Sequence, residues 1–256
     1  MLPTLTTAQM IEVDRAMIED YHIELIQMME NAGRALAELS RRWLGGDVRA
    51  KSVAVLCGGG GNGGGGLVAA RRLHNWGANV IVALTKPADD YRGVPAHQLD
   101  ILQRMGIPRV ESAALLPPPS LILDAIIGYS LKDSPRGAAA EFIRWANAQS
   151  APILALDVPS GVDSTSGEIH DPAIRAAATL TLALPKTGLL QPAAKPFVGE
   201  LYLADISVPP ELYAQMGVVV PLLFAESDII PVSLTPNPSP EGRGESPFPL
   251  RGKGRG

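Results

Sequence analysis

Two acidic residues stand where apolar segments of this chain run into glycine-containing loops. Asp124 follows the apolar segment 121–123, and Asp157 follows the apolar segment 153–156. If these segments are neighbouring parallel strands, both carboxylates point into one crevice at the carboxyl edge of the sheet. A carboxylate there can transfer a proton, or it can simply accept hydrogen bonds within its own loop. We favour a functional site, because both acids flank the same glycine-rich stretch.

That glycine-rich stretch holds eight glycines between positions 58 and 66, interrupted only by Asn62. It follows the apolar segment 53–57 and leads into the helix-like segment 67–73. Glycine costs about 0.5–1 kcal/mol relative to alanine in regular structure, so this turn is expected to need positive φ angles or close backbone contact. Because free N–H groups at a helix N-terminus attract anions, the predicted occupant is a phosphate or pyrophosphate. A tight turn that needs glycine only for packing is the alternative interpretation.

Two familiar nucleotide motifs fit this stretch poorly. Gly58, Gly60 and Gly63 match the dinucleotide pattern G-x-G-x-x-G, but a run of glycines matches it almost automatically. Residues 82–86 carry no carboxylate where a dehydrogenase would bind ribose, and Gly66 is not followed by the Lys-Ser/Thr of a P-loop. An ordinary oxidoreductase is therefore the weakest of the functions considered.

Strand and helix patterns alternate along the chain after two amphipathic N-terminal helices. The first helix follows an N-cap at Thr6 or Thr7, and the second runs from about Glu24 to Leu44. The predicted strands are 52–57, 79–84, 107–110, 120–124, 152–156, 178–184 and 200–206, and the predicted helices are 66–76, 91–105, 136–149 and 209–216. This alternation predicts an α/β fold with a mostly parallel sheet covered on both faces.

Composition excludes several classes of function. The 256 residues carry a net charge of −4, without the basic excess of a nucleic-acid binder. Cys57 is the single cysteine, the four histidines are scattered, and no apolar run reaches membrane-spanning length. We expect a soluble cytoplasmic protein with no zinc site, a folded unit over 1–230 and a disordered Pro/Gly-rich tail over 231–256.

Several segments, in order and with similar spacing, resemble the NAD(P)H-hydrate epimerase family. The resemblance extends over about residues 5–210. The segments that carry it are 29–33 (M-E-N-A-G), 57–73 (the glycine run), 123–132 (L-D-A-I-I-G-Y-S-L-K), 156–163 (L-D-V-P-S-G-V-D), 181–190 (T-L-A-L-P-K-T-G-L-L) and 199–206 (G-E-L-Y-L-A-D-I).

The resemblance implies a Rossmann-like three-layer α/β/α sandwich that is usually dimeric. It also implies epimerisation at C6 of the hydrated nicotinamide ring, which converts (R)-NAD(P)HX to the (S) form that a separate ATP- or ADP-dependent dehydratase repairs. Asp157 and Lys132 would be the catalytic pair, and a potassium ion would be bound by Asn62, Asp124 and Ser160. The implied substrate contacts are Gly61, Asn62, Gly63, Gly64, Gly65, Gly128, Tyr129, Ser130, Leu131, Lys132, Asp133, Ser134 and Asp157.

The glycine run departs from the family pattern at two positions. Gly61 replaces an asparagine and Gly65 replaces an aspartate of the usual G-x-G-N-N-G-G-D-G. The loss of a carboxylate beside a helix N-terminus favours phosphate there, and the same loss removes a polar contact. The departure supports an alternative function, a catalytically idle nucleotide-binding or scaffold module of the same fold.

Overall fold

The computed structural model describes residues 2–233. Within them the helices are α1 (Thr7–Glu19), α2 (Leu25–Trp43), α3 (Gly61–Asn75), α4 (Gly93–Arg104), α5 (Gly137–Asn147), α6 (Lys195–Val198) and α7 (Pro210–Gln215). The strands are β1 (Ser52–Cys57), β2 (Asn79–Leu84), β3 (Arg109–Val110), β4 (Leu121–Ala125), β5 (Ile153–Leu156), β6 (Ala178–Leu182), β7 (Glu200–Ala204) and β8 (Ile229–Val232).

All eight strands form one sheet in the order β3-β2-β1-β4-β5-β6-β7-β8. Every neighbouring pair is parallel except β7 and β8, which are antiparallel. The predicted α/β class with a mostly parallel sheet is confirmed. The chain order reverses between β1 and β4, where Leu56 is paired with Asp124. A reversal of this kind opens a ligand-binding crevice at the carboxyl ends of the strands.

Two apolar cores, one on each face of the sheet, make the three layers. One core joins α1, α2, α3 and α4 to side chains such as Val55, Leu123 and Leu156. The other joins α5, through Phe142 and Ile143, to the alternate strand positions. Successive strand residues point to opposite faces, so both faces are buried without a polar stripe. No helix among residues 2–233 has the length and apolar character needed to cross a membrane.

Helix α3 begins at Gly61, five residues before the predicted start at 66. No glycine of the 58–66 run has a positive φ, so close contact explains the glycines. A Cβ at Gly63 would overlap the carbonyl oxygen of Gly58, and one at Gly66 would lie 2.5 Å from the Cβ of Ala125. A Cβ at Gly65 would lie 2.8 Å from Leu156 Cδ2. The first turns of α3 therefore press their backbone against the strand ends.

Sequence reasoning missed two short elements. Strand β8 contains Pro231, which removes one backbone donor and is tolerated because the strand lies at the edge of the sheet. The predicted boundary at 230 falls inside this strand, and residues 234–256 of the predicted tail lie outside the described residues. Helix α6 has four residues, too few for a periodic pattern. Apart from the start of α3, the predicted bounds of the other strands and helices match the structure to within two residues.

Candidate active site

A pocket of about 300 Å³ lies at the carboxyl ends of β4 and β5, between those strand ends and the helices α1 and α2. Among the predicted substrate contacts it is lined by Gly61, Asn62, Gly128, Tyr129, Ser130 and Asp157. The remaining contacts, Gly63, Gly64, Gly65, Leu131, Lys132, Asp133 and Ser134, are not part of that lining. The rest of the wall is mainly apolar, formed by Met10, Leu25, Met28, Met29, Ala32, Leu156, Leu182 and Ile206, with one further acid, Asp14.

Asp157 follows β5 directly and is 3% exposed. Its backbone has a φ of +66°, in the left-handed region that aspartate and asparagine tolerate best among residues with a Cβ. Oδ1 accepts a hydrogen bond from the ammonium group of Lys186, and Oδ2 accepts one from the backbone N–H of Tyr129 at 3.1 Å. The carboxylate is thus held at the pocket wall, where it meets a buried cation.

Lys186 is fully buried in the loop after β6. Besides Asp157, its ammonium group donates to the carbonyl oxygen of Leu182 at 2.7 Å. The loop is fixed from outside by Leu5, whose N–H donates to Pro185 and whose carbonyl accepts from Thr187. The sequence held one signal for this lysine, since its Leu-Pro-Lys segment continues a buried apolar strand.

Lys132, the lysine implied by the family resemblance, is exposed in the loop between β4 and α5. It does not line the pocket, and the lysine that contacts the Asp157 carboxylate is Lys186. A catalytic role for Lys132 stays a prediction, one that needs the loop to bring the ammonium group towards a bound substrate.

Asp124 is the penultimate residue of β4, and its carboxylate is completely buried. Its Oδ1 accepts hydrogen bonds from Ser160 Oγ at 2.7 Å and from the N–H of Ile126 at 3.2 Å. Its Oδ2 accepts one from the N–H of Ser160 at 2.8 Å. Burial raises the pKa of Asp124 to about 6, against the opposing effect of these donors. Within residues 2–233 it makes no salt bridge.

Asn62 supplies the observation that tests the implied potassium ion. Both its amide oxygen and its amide nitrogen are buried, and neither has a hydrogen-bond partner among the described residues. The amide lies beside Gly128, where an added Cβ would be 3.2 Å from Asn62 Cγ and 3.2 Å from Asp157 Oδ2. Buried polar atoms are almost always paired, so the amide oxygen of Asn62 is a candidate ligand for a cation.

The donor set fits such an ion. Asn62, Asp124 and Ser160 offer amide, carboxylate and hydroxyl oxygens, which suit a hard cation. Ser160 Oγ contacts both the N–H and the carbonyl oxygen of Ile127, and the Asn62 amide lies beside Gly128. The three side chains therefore border the short loop that follows β4. No group of three or more His, Cys, Asp or Glu side chains that could bind a metal occurs within residues 2–233.

Asp14 is a pocket residue that sequence reasoning missed. It lies on α1, one turn from the buried residues Met10 and Met17, and the hydroxyl of Tyr129 donates to its Oδ2 at 2.5 Å. Burial raises the pKa of both Asp14 and Tyr129. Its helical spacing could have indicated that Asp14 faces the interior. Positions three and four apart on a helix share a face, and the face that Asp14 shares with Met10 and Met17 is apolar.

The M-E-N-A-G segment positions the glycine helix and also contributes Met29 and Ala32 to the pocket wall. Glu30 accepts hydrogen bonds from Arg71 at 2.5 Å and from Gln98 at 3.1 Å, which joins α2 to α3 and α4. A Cβ on Gly33 would overlap Val68, so this glycine allows α2 to approach α3 closely. The close approach sets the distance between Met29 and the first turn of α3 at the pocket.

Comparison with known proteins identifies the family to which this site belongs. A family model described as YjeF-related protein N-terminus matches residues 25–188. The chain belongs to this family. It is 44% identical over 214 residues to an NAD(P)H-hydrate epimerase of Dehalogenimonas lykanthroporepellens, an alignment that covers 83% of this chain and 85% of the relative. It is 35% identical to an NAD(P)H-hydrate epimerase of Rhodopirellula baltica, with 85% and 89% covered.

Longer relatives and a solved structure extend the comparison. A bifunctional NAD(P)H-hydrate repair enzyme, Nnr, of Moorella thermoacetica is 37% identical over 82% of this chain, and the chain spans 41% of that relative's length. The crystal structure of yeast Ynu0 (YNL200c) superposes with a TM-score of 0.79 at 25% identity, over 90% of this chain and 100% of the yeast chain. The resemblance seen in the sequence is confirmed at the level of family and fold.

Proposed function

We propose that this protein is an NAD(P)H-hydrate epimerase, an isomerase that interconverts the (R) and (S) forms of NAD(P)HX in the repair of damaged nicotinamide nucleotides. The observation that carries this function is the identity of 44% to a relative of that name along 85% of the relative's length. The geometry supports it, because all six family segments contribute residues to one pocket that contains a buried, cation-paired carboxylate.

Inversion at C6 of the hydrated ring requires a bond to that carbon to break and to form again. In one route the C6 hydroxyl leaves as water and the ring nitrogen stabilises an iminium ion, which water attacks from the opposite face. In a rival route the C6–N bond opens to an aldehyde and closes again. Both routes need a group that takes and returns a proton at the C6 oxygen, and we assign this role to Asp157. Its negative charge also stabilises an iminium ion.

Lys186 positions that carboxylate in our proposal. An isolated ionised carboxylate in a dry pocket would take up a proton, so a buried ammonium partner is needed to hold the charge. The partner contacts Oδ1 while the backbone N–H of Tyr129 contacts Oδ2, which fixes the plane of the carboxylate. Lys132 keeps its proposed catalytic role as a loop residue that approaches only with substrate bound.

We also propose that Asn62, Asp124 and Ser160 bind one potassium ion per subunit. The unpartnered amide of Asn62 and the buried carboxylate of Asp124 support this site. The ion would supply positive charge next to the negatively charged substrate and hold the loops after β4 and β5 in place.

The remaining proposals concern the substrate's phosphates and the protein's partners. Gly60 and Gly61 are exposed, so the N-terminal N–H groups of the 15-residue helix α3 are accessible to the phosphates of NAD(P)HX. We propose a cytoplasmic homodimer whose product passes to an NAD(P)H-hydrate dehydratase. The support is the resemblance and the bifunctional repair enzymes among the relatives.

The test follows a single purified epimer of NADHX or NADPHX by NMR or chromatography, with protein and potassium present. We expect wild-type protein to accelerate exchange between the epimers and Asp157→Asn to lose roughly 10²- to 10⁴-fold of that acceleration. Asparagine keeps the size of the side chain and tolerates the positive φ. The matched control is Asp100→Asn on α4, outside the pocket lining, which should keep the wild-type rate. Wild-type exchange by folded Asp157→Asn would refute the assignment.

A second candidate function rests on the two replaced residues of the glycine run. A catalytically idle module of the same fold would bind NAD(P)HX through α3 but lack the polar contacts that Gly61 and Gly65 have removed. It predicts saturable binding with no exchange above the spontaneous background. Restoring Gly61→Asn, where the nearest side-chain atom to an added Cβ is 3.8 Å away, would then create activity rather than leave it unchanged.

A further inference from the structure

Asp14 and Asp157 are two carboxylates that reach the same pocket from different elements and contact opposite ends of one tyrosine. The hydroxyl of Tyr129 donates to Asp14, and the backbone N–H of Tyr129 donates to Asp157. We propose that Asp14 is a second catalytic residue, a proton donor that works in tandem with Asp157 as the proton acceptor. This inference rests on the proposed epimerase function.

The surroundings of the two acids differ in charge. Asp157 contacts the ammonium group of Lys186, whereas no cation contacts Asp14 among the described residues. The titratable groups that influence Asp14 are Tyr129, Asp157 and Lys186. Burial raises the pKa of Asp14 most strongly and the charge of Asp157 raises it further, while the Tyr129 hydrogen bond and Lys186 lower it. Two acids in surroundings of different charge can divide the roles of proton donor and proton acceptor.

The chemistry of inversion uses such a pair. Asp14 gives its proton to the C6 hydroxyl, the C–O bond breaks, water leaves, and the ring nitrogen lone pair forms the C6=N bond of the iminium ion. A water molecule then adds from the opposite face, the new C–O bond forms, and Asp157 takes the proton released. The turnover ends with Asp14 ionised and Asp157 neutral. That state catalyses the reverse inversion, and proton exchange with solvent restores the first one.

The hydrogen bond from Tyr129 leaves one carboxyl oxygen of Asp14 available for proton donation. Its hydroxyl occupies Oδ2, and no further hydrogen bond to the Asp14 side chain occurs within residues 2–233, so Oδ1 can carry the acidic proton towards the pocket. Asp14 is anchored from its own helix as well. At the start of α1, Thr7 contacts Ser164 at 2.6 Å, and Ser164 donates to the carbonyl oxygen of Tyr129 at 2.9 Å. Tyr129 is therefore a positioning residue.

The test compares Asp14→Asn with wild type in the epimer-exchange assay across pH. Asparagine still accepts the Tyr129 hydrogen bond, so a purely structural role would be preserved. We expect kcat to fall at least 100-fold with little change in KM. In wild type, activity falls as pH rises and Asp14 loses its proton, and the residual activity of Asp14→Asn lacks this alkaline limb. Asp20→Asn, an exposed aspartate at the end of the same helix, should keep the wild-type rate and pH profile.

Tyr129→Phe gives a second measurement with a defined sign. The Tyr129 hydrogen bond lowers the Asp14 pKa, so its removal should move the alkaline limb to higher pH. If Asp14→Asn exchanges epimers at the wild-type rate, or loses rate but keeps the wild-type alkaline limb, the inference is wrong. If Asp157→Asn loses activity but Asp14→Asn does not, the epimerase function stands and the catalytic role of Asp14 is refuted. An inactive wild-type protein would refute the epimerase function itself.

Discussion

The two acids that end β4 and β5 look alike in the sequence but occupy different surroundings. Asp124 is buried among neutral donors, chiefly the hydroxyl and backbone N–H of Ser160. Asp157 is almost as buried, yet it contacts the ammonium group of Lys186 and lines the pocket. Of these two carboxylates on adjacent strands, Asp157 is therefore paired with a cation of the protein, and Asp124 has no such partner among the described residues.

This difference separates two kinds of site. A buried carboxylate that contacts its own cation has its charge balanced within the protein. A buried carboxylate that contacts only neutral donors is stabilised when it binds a cation from solution. The unpartnered amide of Asn62 is a second candidate ligand for such a cation. We expect the following measurements to sharpen the contrast, in order of decreasing effect.

The largest effect should come from removing the internal cation. Lys186→Met strands the Asp157 carboxylate in the core, and breaking a buried pair in this way costs about 3–5 kcal/mol in the free energy of unfolding. Urea unfolding at neutral pH measures it. The double variant Lys186→Met/Asp157→Asn should recover most of the loss because no charge is left unpaired. The exposed Lys132→Met should change the free energy by less than about 0.5 kcal/mol. Equal stability of Lys186→Met and wild type would contradict the pairing.

The external cation should have the next largest effect. Potassium chloride at 100 times the dissociation constant should raise the free energy of unfolding by about 2.7 kcal/mol, compared with choline chloride at the same concentration. Thermal unfolding measures this difference. Asn62→Ala should lose the potassium response, whereas Asp157→Asn should keep it, since only the first variant removes a proposed ligand. A response that survives Asn62→Ala but disappears in Asp157→Asn would reverse the roles that we give to the two acids.

The smallest effect concerns Asp14, the partly buried acid on α1. Its pKa in the folded protein is raised above its unfolded value, so the folded state binds more protons between these two values. The resulting stability is present below the unfolded pKa and is lost as pH rises through the folded pKa. Relative to wild type, Asp14→Asn should therefore gain stability as pH rises from the unfolded pKa of Asp14 through its raised folded pKa. The gain is about 1.4 kcal/mol for each unit of pKa elevation. Urea unfolding across pH would contradict the sign if the variant lost stability instead.

Rules that depend on the strand pattern alone predicted the position of the site. The apolar segments 121–123 and 153–156 are buried strands, and the acids that follow them lie at the same edge because parallel strands align their ends. The same rules could not identify Lys186. Its partner lies 29 positions earlier in the chain, and only the pairing of β5 with β6 brings the two side chains together.

The glycine run shows where local propensity misleads. Glycine disfavours helices, so the start of α3 was predicted at Gly66, the last residue of the run. In the structure, close contacts with β1, β4 and Met29 outweigh that preference. Asp14 was missed for a different reason: nothing in its neighbourhood along α1 indicates that Tyr129, 115 positions away, would contact it.

Helix α1 forms part of the pocket wall, which limits how far the folded unit can be truncated from its N-terminal side. The match to the family model begins at residue 25, after α1, yet α1 contributes Met10 and Asp14 to the pocket wall. Deleting the first 24 residues would leave every strand of the sheet in place while taking away one side of the cavity. It would also remove Leu5, which brackets the loop of Lys186. A functional unit therefore has to include α1, although the sheet itself begins only at β1.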